Sequence, residues 1–378
     1  MKIAIFTDTY LPQINGVVTS TLTFKKAFEE LGHDVYIMCP KMKGASKSSD
    51  KVWRFPSMTY PFQKEYRLVL PYSKKLKEFK SINFDVIHAQ TPFTMGYLAQ
   101  YLAKKHDIPL VHTYHTFFLE YVHYVPILPE KWMKKWATKE SRRFCNRSNA
   151  IIVPSEDMKQ GLLEYGVESP ISVIPTGVEQ HDVSESEQNY FFRNFSLSSE
   201  DLILSFVGRL GVEKNIYFLI DAFQKIHNDF PNAKLLIIGD GPERLLLAEK
   251  VYEANFQDAV IFTGYISKER VLAGLKLSKL LLFPSKTETQ GLCVLESLSV
   301  GTPAVCINEM GVKDVIADNE GGILSEDCID AYVSHTIQLL EDASYYEEMS
   351  QKALKRASQF DSQTLAKETV SIYEECLC

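Results

Sequence analysis

The chain is 378 residues long, 45% apolar and 24% charged, with a net charge of −7. That length exceeds one ordinary core and fits two domains of roughly 150–200 residues; the composition excludes a disordered, collagenous or coiled-coil polypeptide. A pI of about 5.8 lacks the footprint of a nucleic-acid binder. No apolar run approaches the roughly 20 residues of a membrane span. The seven cysteines, an odd number without a Cys-x-x-Cys pair, argue against a disulfide framework or a structural zinc site and suggest a reduced, cytoplasmic protein. The short apolar N-terminal run, cut by Asp8, does not read as a signal peptide. Charge is uneven: residues 1–180 carry a net +7 and residues 181–378 a net −14. The basic half suggests a face that meets something anionic.

In chain order, Lys2–Thr7 reads as a buried strand, Val17–Leu31 as a helix ended by Gly32, and Val35–Cys39 as a strand. Val86–His88, Leu110–Tyr114 and Ala150–Val153 follow as strands with helices between them. After a polar stretch, His181–Glu200, the pattern restarts with Leu202–Val207, Lys234–Ile238, Val260–Phe262, Leu280–Phe283 and Ala304–Ile307. Strands alternating with helices imply parallel sheets covered on both faces. The expectation is an α/β protein of two Rossmann-like, doubly wound domains facing across a cleft: residues 1–180, residues 181–355, and a terminal helix, 356–378, returning to the first domain. Ligands of such sheets bind outside the carboxyl ends of the strands.

Gly16, after the first strand, opens a helix where backbone N–H groups can approach an anion. The loop is not Gly-x-Gly-x-x-Gly, so the dinucleotide fingerprint is missing. His115 falls at the carboxyl edge of a strand. In Gly208-Arg209-Leu210…Glu213-Lys214-Asn215, two cations leave a strand end five residues apart and can hold a diphosphate. Gly264-Tyr265-Ile266 forms another strand-to-loop turn. The richest stretch is Phe283 to Glu296, in which Glu288 precedes a helix starting near Gly291 and Leu292, and Glu296 lies within it. Two carboxylates in so apolar a run need hydroxyl or cationic partners.

Residues 131–147 hold seven bases and one acid. Trp132 and Trp136 share a helix face beside Lys131, Lys135, Lys139, Arg142 and Arg143. Such a helix can lie in a membrane interface, though a core-packing helix with a solvated charged face would read similarly. Lys64, Arg67, Lys74, Lys75, Lys77 and Lys80 add charge to the same half.

These motifs in this order resemble the retaining family-4 glycosyltransferases of GT-B fold, from Met1 to about Phe360. The resemblance implies that Arg209 and Lys214 bind the diphosphate of a nucleotide-sugar, and that Glu296 holds its ribose. Gly264, Tyr265 and Ile266 would meet the base, and Glu288, Gly291 and Leu292 the sugar and distal phosphate. His115 would approach the sugar from the other domain, and Gly16 would line the phosphate side. It implies no metal and no cofactor beyond the donor, UDP-glucose being the expected one. Within the family the sequence is most similar to bacterial diacylglycerol glucosyltransferases, through Tyr10-Leu11-Pro12, Glu120-Tyr121-Val122-His123-Tyr124 and Thr287 to Leu292. Phe117-Phe118-Leu119 departs from some relatives and leaves the acceptor open. The expected activity is hexosyl transfer to diacylglycerol by an enzyme peripheral to the inner face of the cell membrane. A soluble glycan or glycopeptide acceptor, a non-catalytic partner subunit and a nucleotide-sugar epimerase are the alternatives. Oligomeric state is not legible.

Overall fold

The structure is a computed structural model that describes residues 1–45, 47–59, 67–116, 130–179 and 183–378. Lys64 and the stretch from Phe117 to Tyr124 lie outside the described residues. Two compact units divide the chain: Met1–Gly177 with Ser362–Cys378, and Val178–Asp361.

The first unit runs β1 (Lys2–Phe6), α1 (Gly16–Glu30), β2 (Asp34–Pro40), β3 (Val52–Phe55), β4 (Ser57–Thr59), β5 (Arg67–Val69), α2 (Phe79–Ile82), β6 (Val86–Ala89), α3 (Thr94–His106), β7 (Leu110–Thr113), α4 (Glu130–Cys145), β8 (Ala150–Val153), α5 (Glu156–Glu164) and β9 (Ile171–Val173). Its seven-stranded sheet has the order β3-β2-β1-β6-β7-β8-β9, with every pairing parallel. β4 and β5 form a separate antiparallel hairpin. The central strands are buried at every position, as a parallel sheet covered on both faces requires. One core cluster joins Phe6, Trp53, Phe55, Phe79, Phe84 and Phe144, with the Phe79 and Phe84 rings 4.8 Å apart.

The second unit runs α6 (Glu185–Asn194), β10 (Leu202–Val207), α7 (Ile216–Asp229), β11 (Ala233–Ile238), α8 (Arg244–Glu253), β12 (Val260–Gly264), α9 (Lys268–Leu277), β13 (Leu280–Phe283), α10 (Leu292–Ser299), β14 (Ala304–Ile307), α11 (Val312–Val315), β15 (Gly322–Ser325), α12 (Ile329–Glu341) and α13 (Ala343–Ser358). Its sheet order, β12-β11-β10-β13-β14-β15, reverses direction between β10 and β13. In a doubly wound sheet that reversal opens a crevice at the carboxyl ends. The last helix, α14 (Ser362–Leu377), packs on α1 in the first unit. There Tyr373 is fully buried, 5.7 Å from the Phe28 ring.

The stretch read as polar, His181–Glu200, contains α6. Ser184 caps it by accepting from the Glu187 N–H, and Phe191 is fully buried. Arg270 of α9 stacks 3.9 Å over Tyr190 and pairs with Glu187 at 3.2 Å. One turn of aromatics anchors a helix whose mean composition is polar. The sequence pattern also does not show the edge strands β3, β9 and β15, three or four residues long, or the hairpin strands β4 and β5.

Candidate active site

In the second unit the candidate side chains converge on the β10/β13 reversal. Arg209 and Lys214 follow β10, and the loop from Pro284 to Gly291 follows β13. Asn215, in left-handed conformation at φ 56°, ends the turn after Lys214 and donates from its side chain to the Pro284 carbonyl at 3.3 Å. Arg209 Nη1 pairs with Glu213 at 3.3 Å. Lys214 Nζ donates to Glu288 Oε1, which also accepts from Ser285 Oγ at 3.2 Å. This Lys214–Glu288 pair spans the crevice between the two strands and is mostly buried, the side chains being 15% and 18% exposed. Thr287 places on the same loop a buried hydroxyl that has no hydrogen-bond partner among the described residues.

The loop is held from behind. Gly311 donates to the Glu288 carbonyl at 2.9 Å, and a Cβ on Gly311 would lie 2.1 Å from the Thr289 oxygen. Gly291 begins α10 at φ 85°, where L side chains are strained, and no side chain caps that helix start. Its first N–H groups are therefore donors available to an anion.

Glu296, 7% exposed, pairs with Lys268 of α9. That ion pair ties the helix carrying Glu296 to the loop of Gly264, Tyr265 and Ile266. Gly264 is buried at φ 71°, Ile266 is half-buried, and Tyr265 is exposed, its hydroxyl donating to the Asp240 carbonyl at 3.1 Å. Both carboxylates thus have the cationic partners that their apolar surroundings demand.

His115 and Gly16 belong to the first unit. Gly16 is the first residue of α1, whose cap Asn15 accepts from the Val18 N–H at 3.0 Å. At the β1/β6 reversal, Asp8 is buried and accepts from Thr91 and Thr94 hydroxyls, both at 2.6 Å, and from the Met95 N–H at 3.0 Å. It thereby caps the start of α3; burial raises its pKa. His115 lies two residues past β7 and is partly buried. Its Nε2 contacts Gln90 Oε1 at 2.7 Å. Burial, with His112 nearby, lowers its pKa to about 3, so the ring is neutral at physiological pH.

On α4 the packed stripe is Ala137, Ser141, Phe144 and Cys145, while Trp132 and Trp136 are 70% and 58% exposed. The helix thus packs on the core through one stripe and leaves its basic face solvated, and the two indoles lie outside that packed stripe. Lys131, Lys135, Lys139, Arg142 and Arg143 are also exposed. Arg142 pairs with Glu168 at 3.5 Å and Arg143 with Glu140 at 3.8 Å. No helix among the described residues is long and apolar enough to cross a membrane.

Residues 14–181 match Glycosyltransferase Family 4, and residues 188–356 match Glycosyl transferases group 1. A relative from Streptococcus pneumoniae named alpha-monoglucosyldiacylglycerol synthase is 33% identical over 86% of this chain and 75% of its own. The chain belongs to glycosyltransferase family 4. A second alpha-monoglucosyldiacylglycerol synthase, from Acholeplasma laidlawii, is 28% identical to this glycosyltransferase over 99% of the chain and 96% of its own length. An N-acetyl-alpha-D-glucosaminyl L-malate synthase from Bacillus anthracis is 24% identical over 100% and 98%. Among solved structures, Anabaena HepE in complex with UDP and glucose superposes with a TM-score of 0.78 at 16% identity, covering 99% of this chain and 100% of that one. The glycosyltransferase therefore has the GT-B fold.

Arg209, Lys214, Glu288, Gly291 and Leu292 come together around one crevice, with Glu296 joined to the Gly264 loop. Sequence reasoning missed Ser285, Lys268 and Gln90. Gln90 directly follows β6, and its position at a strand's carboxyl end was the available signal.

Proposed function

We propose that this glycosyltransferase moves a glucosyl group from UDP-glucose to diacylglycerol at an anionic membrane surface, retaining the anomeric configuration and using no metal. The observation that carries the chemistry is the pair of cations after β10, each balanced by a carboxylate, Glu213 or Glu288. A diphosphate entering the crevice takes over those cations. As the bond from the anomeric carbon to the diphosphate oxygen breaks, negative charge grows on the leaving group. Arg209, Lys214 and the uncapped start of α10 stabilise it in place. Glu288, freed from Lys214, orients the sugar hydroxyls, and Glu296 takes the ribose. His115, neutral, hydrogen-bonds the sugar. The acceptor hydroxyl attacks the face the diphosphate leaves, and its proton passes to that diphosphate.

The acceptor rests on the two alpha-monoglucosyldiacylglycerol synthases and on the exposed Trp132 and Trp136 of the basic helix α4. Indoles at the headgroup level and lysines over an anionic leaflet suit a peripheral enzyme at the inner face of the membrane. The relative named for L-malate favours a second reading, a soluble acceptor on the same machinery. The test is nucleoside-diphosphate release from several sugar donors, with and without diacylglycerol in anionic vesicles, followed by product analysis. Lipid-dependent UDP release with an α-glucosyl lipid product supports the first reading. Release that ignores lipid and responds to a soluble hydroxy compound supports the second.

A further inference from the structure

A chain of buried polar contacts runs inward from His115 through the core of the first unit to the last helix. His115 Nε2 contacts Gln90 Oε1 at 2.7 Å. Gln90 Nε2 lies 3.1 Å from His88 Nε2, which also meets Thr113 Oγ1 at 2.7 Å. His88 Nδ1 lies 2.6 Å from the Tyr373 hydroxyl of α14. Gln90, His88, Thr113 and Tyr373 are 0–5% exposed. Burial lowers the pKa of His88 to about 3, so this ring too is neutral and carries one proton. A neutral imidazole has one donor and one acceptor nitrogen, and a primary amide has a donor end and an acceptor end. Each contact therefore dictates the next. Gln90 accepts at Oε1, so His115 carries its proton on Nε2. Gln90 donates at Nε2, so His88 Nε2 is bare. His88 then carries its proton on Nδ1 and donates to Tyr373.

We propose that Gln90 and Tyr373 are positioning residues that fix the tautomer of His115, leaving its Nδ1 as a hydrogen-bond acceptor for a hydroxyl of the donor sugar. Gln90 engages Nε2, so Nδ1 is the ring nitrogen left to take that hydroxyl. The role of α14 follows from the same logic. Without the Tyr373 hydroxyl, the His88 Nδ1–H has no acceptor, and a buried orphan donor is costly. Moving that proton to Nε2 satisfies it on Thr113 Oγ1. The Gln90 amide must then turn its oxygen toward His88 and its NH2 toward His115. His115 loses its Nε2 proton and becomes a donor at Nδ1. A hydroxyl deleted on the last helix thus inverts the hydrogen-bonding sense of a side chain in the active site.

The proposal rests on the sugar-binding role of His115, and its test keeps the two apart. The Tyr373→Phe, Gln90→Glu and double variants are prepared with 15N-labelled histidine, alongside His115→Ala. Nitrogen shifts report the tautomer of each ring without reference to activity. In Tyr373→Phe the His115 Nε2 signal moves from the protonated to the bare type, and turnover falls about tenfold. Glu at position 90 can only accept, so it holds the proton on His115 Nε2. In the double variant Tyr373→Phe therefore no longer changes the His115 tautomer. An unchanged His115 signal in Tyr373→Phe, with His88 shifted, overturns the relay. An inverted tautomer with His115→Ala at full turnover sustains the relay and overturns the sugar-binding role. Thermal midpoints confirm that each variant is folded.

Discussion

Replacing Lys214 by alanine removes one of the two cations at the β10/β13 crevice and breaks its pair with Glu288. Two effects follow, with different magnitudes. Loss of a fixed donor aimed at developing charge costs about 3–4 kcal/mol of transition-state stabilisation, or 10²–10³-fold in kcat. The fold loses less. Lys214 and Glu288 are 15% and 18% exposed, and the orphaned carboxylate keeps Ser285 Oγ at 3.2 Å, so destabilisation is about 1–3 kcal/mol. Lys214→Arg keeps the charge while changing its reach, and its kcat falls between wild type and alanine. The assay is steady-state UDP release with diacylglycerol vesicles, giving kcat and KM separately, beside a denaturation curve for each variant. A kcat for Lys214→Ala within threefold of wild type refutes the diphosphate role, and a rise in KM alone assigns the lysine to ground-state binding.

Four further predictions concern the rest of the molecule. Changing Lys131, Lys135 and Lys139 together to glutamine weakens co-sedimentation with anionic vesicles roughly a hundredfold, at about 1 kcal/mol per charge, and high salt reproduces the loss. Trp132→Ala with Trp136→Ala weakens the same binding while leaving the thermal midpoint in place, because both rings are exposed; a fall in midpoint contradicts this. Gly239→Ala puts a Cβ 1.9 Å from the Gly208 oxygen at φ 142°, so it destabilises the second unit by about 3 kcal/mol or more, read as a lowered denaturant midpoint. The first unit is acid-sensitive: burial lowers His88 to about 3 and His112 to about 4. Unfolded histidines bind protons near pH 6.5, while these stay neutral in the fold, so the stability they contribute is complete above that pH. It falls as pH drops toward 4, by about 2 kcal/mol for each ring at pH 5. Denaturant midpoints between pH 7 and 5 check it, and a flat profile contradicts the burial of these rings.

Much of this was written locally. Apolar runs such as Leu202–Val207 are strands because a parallel strand buried on both faces must be apolar throughout, and the cations and carboxylates at their ends stood out against that background. The exposure of the α4 indoles was half legible. Periodicity placed Trp132 and Trp136 on one face, but only packing showed that Ala137, Ser141 and Phe144 occupy the core instead. What the one-dimensional pattern could not hold was adjacency. Strand order depends on crossovers, so nothing before folding says that β13 lies beside β10 and lets Glu288 reach Lys214, 74 residues away. Helix α6 hid in a polar average because one buried turn of aromatics suffices to dock a helix. Tyr373 and His88 are 285 positions apart, and their contact exists because α14 returns to the first unit. Short-range periodicity determines which segments become strands and helices; the meeting of charges and ring nitrogens is decided by which of those segments the tertiary fold makes neighbours.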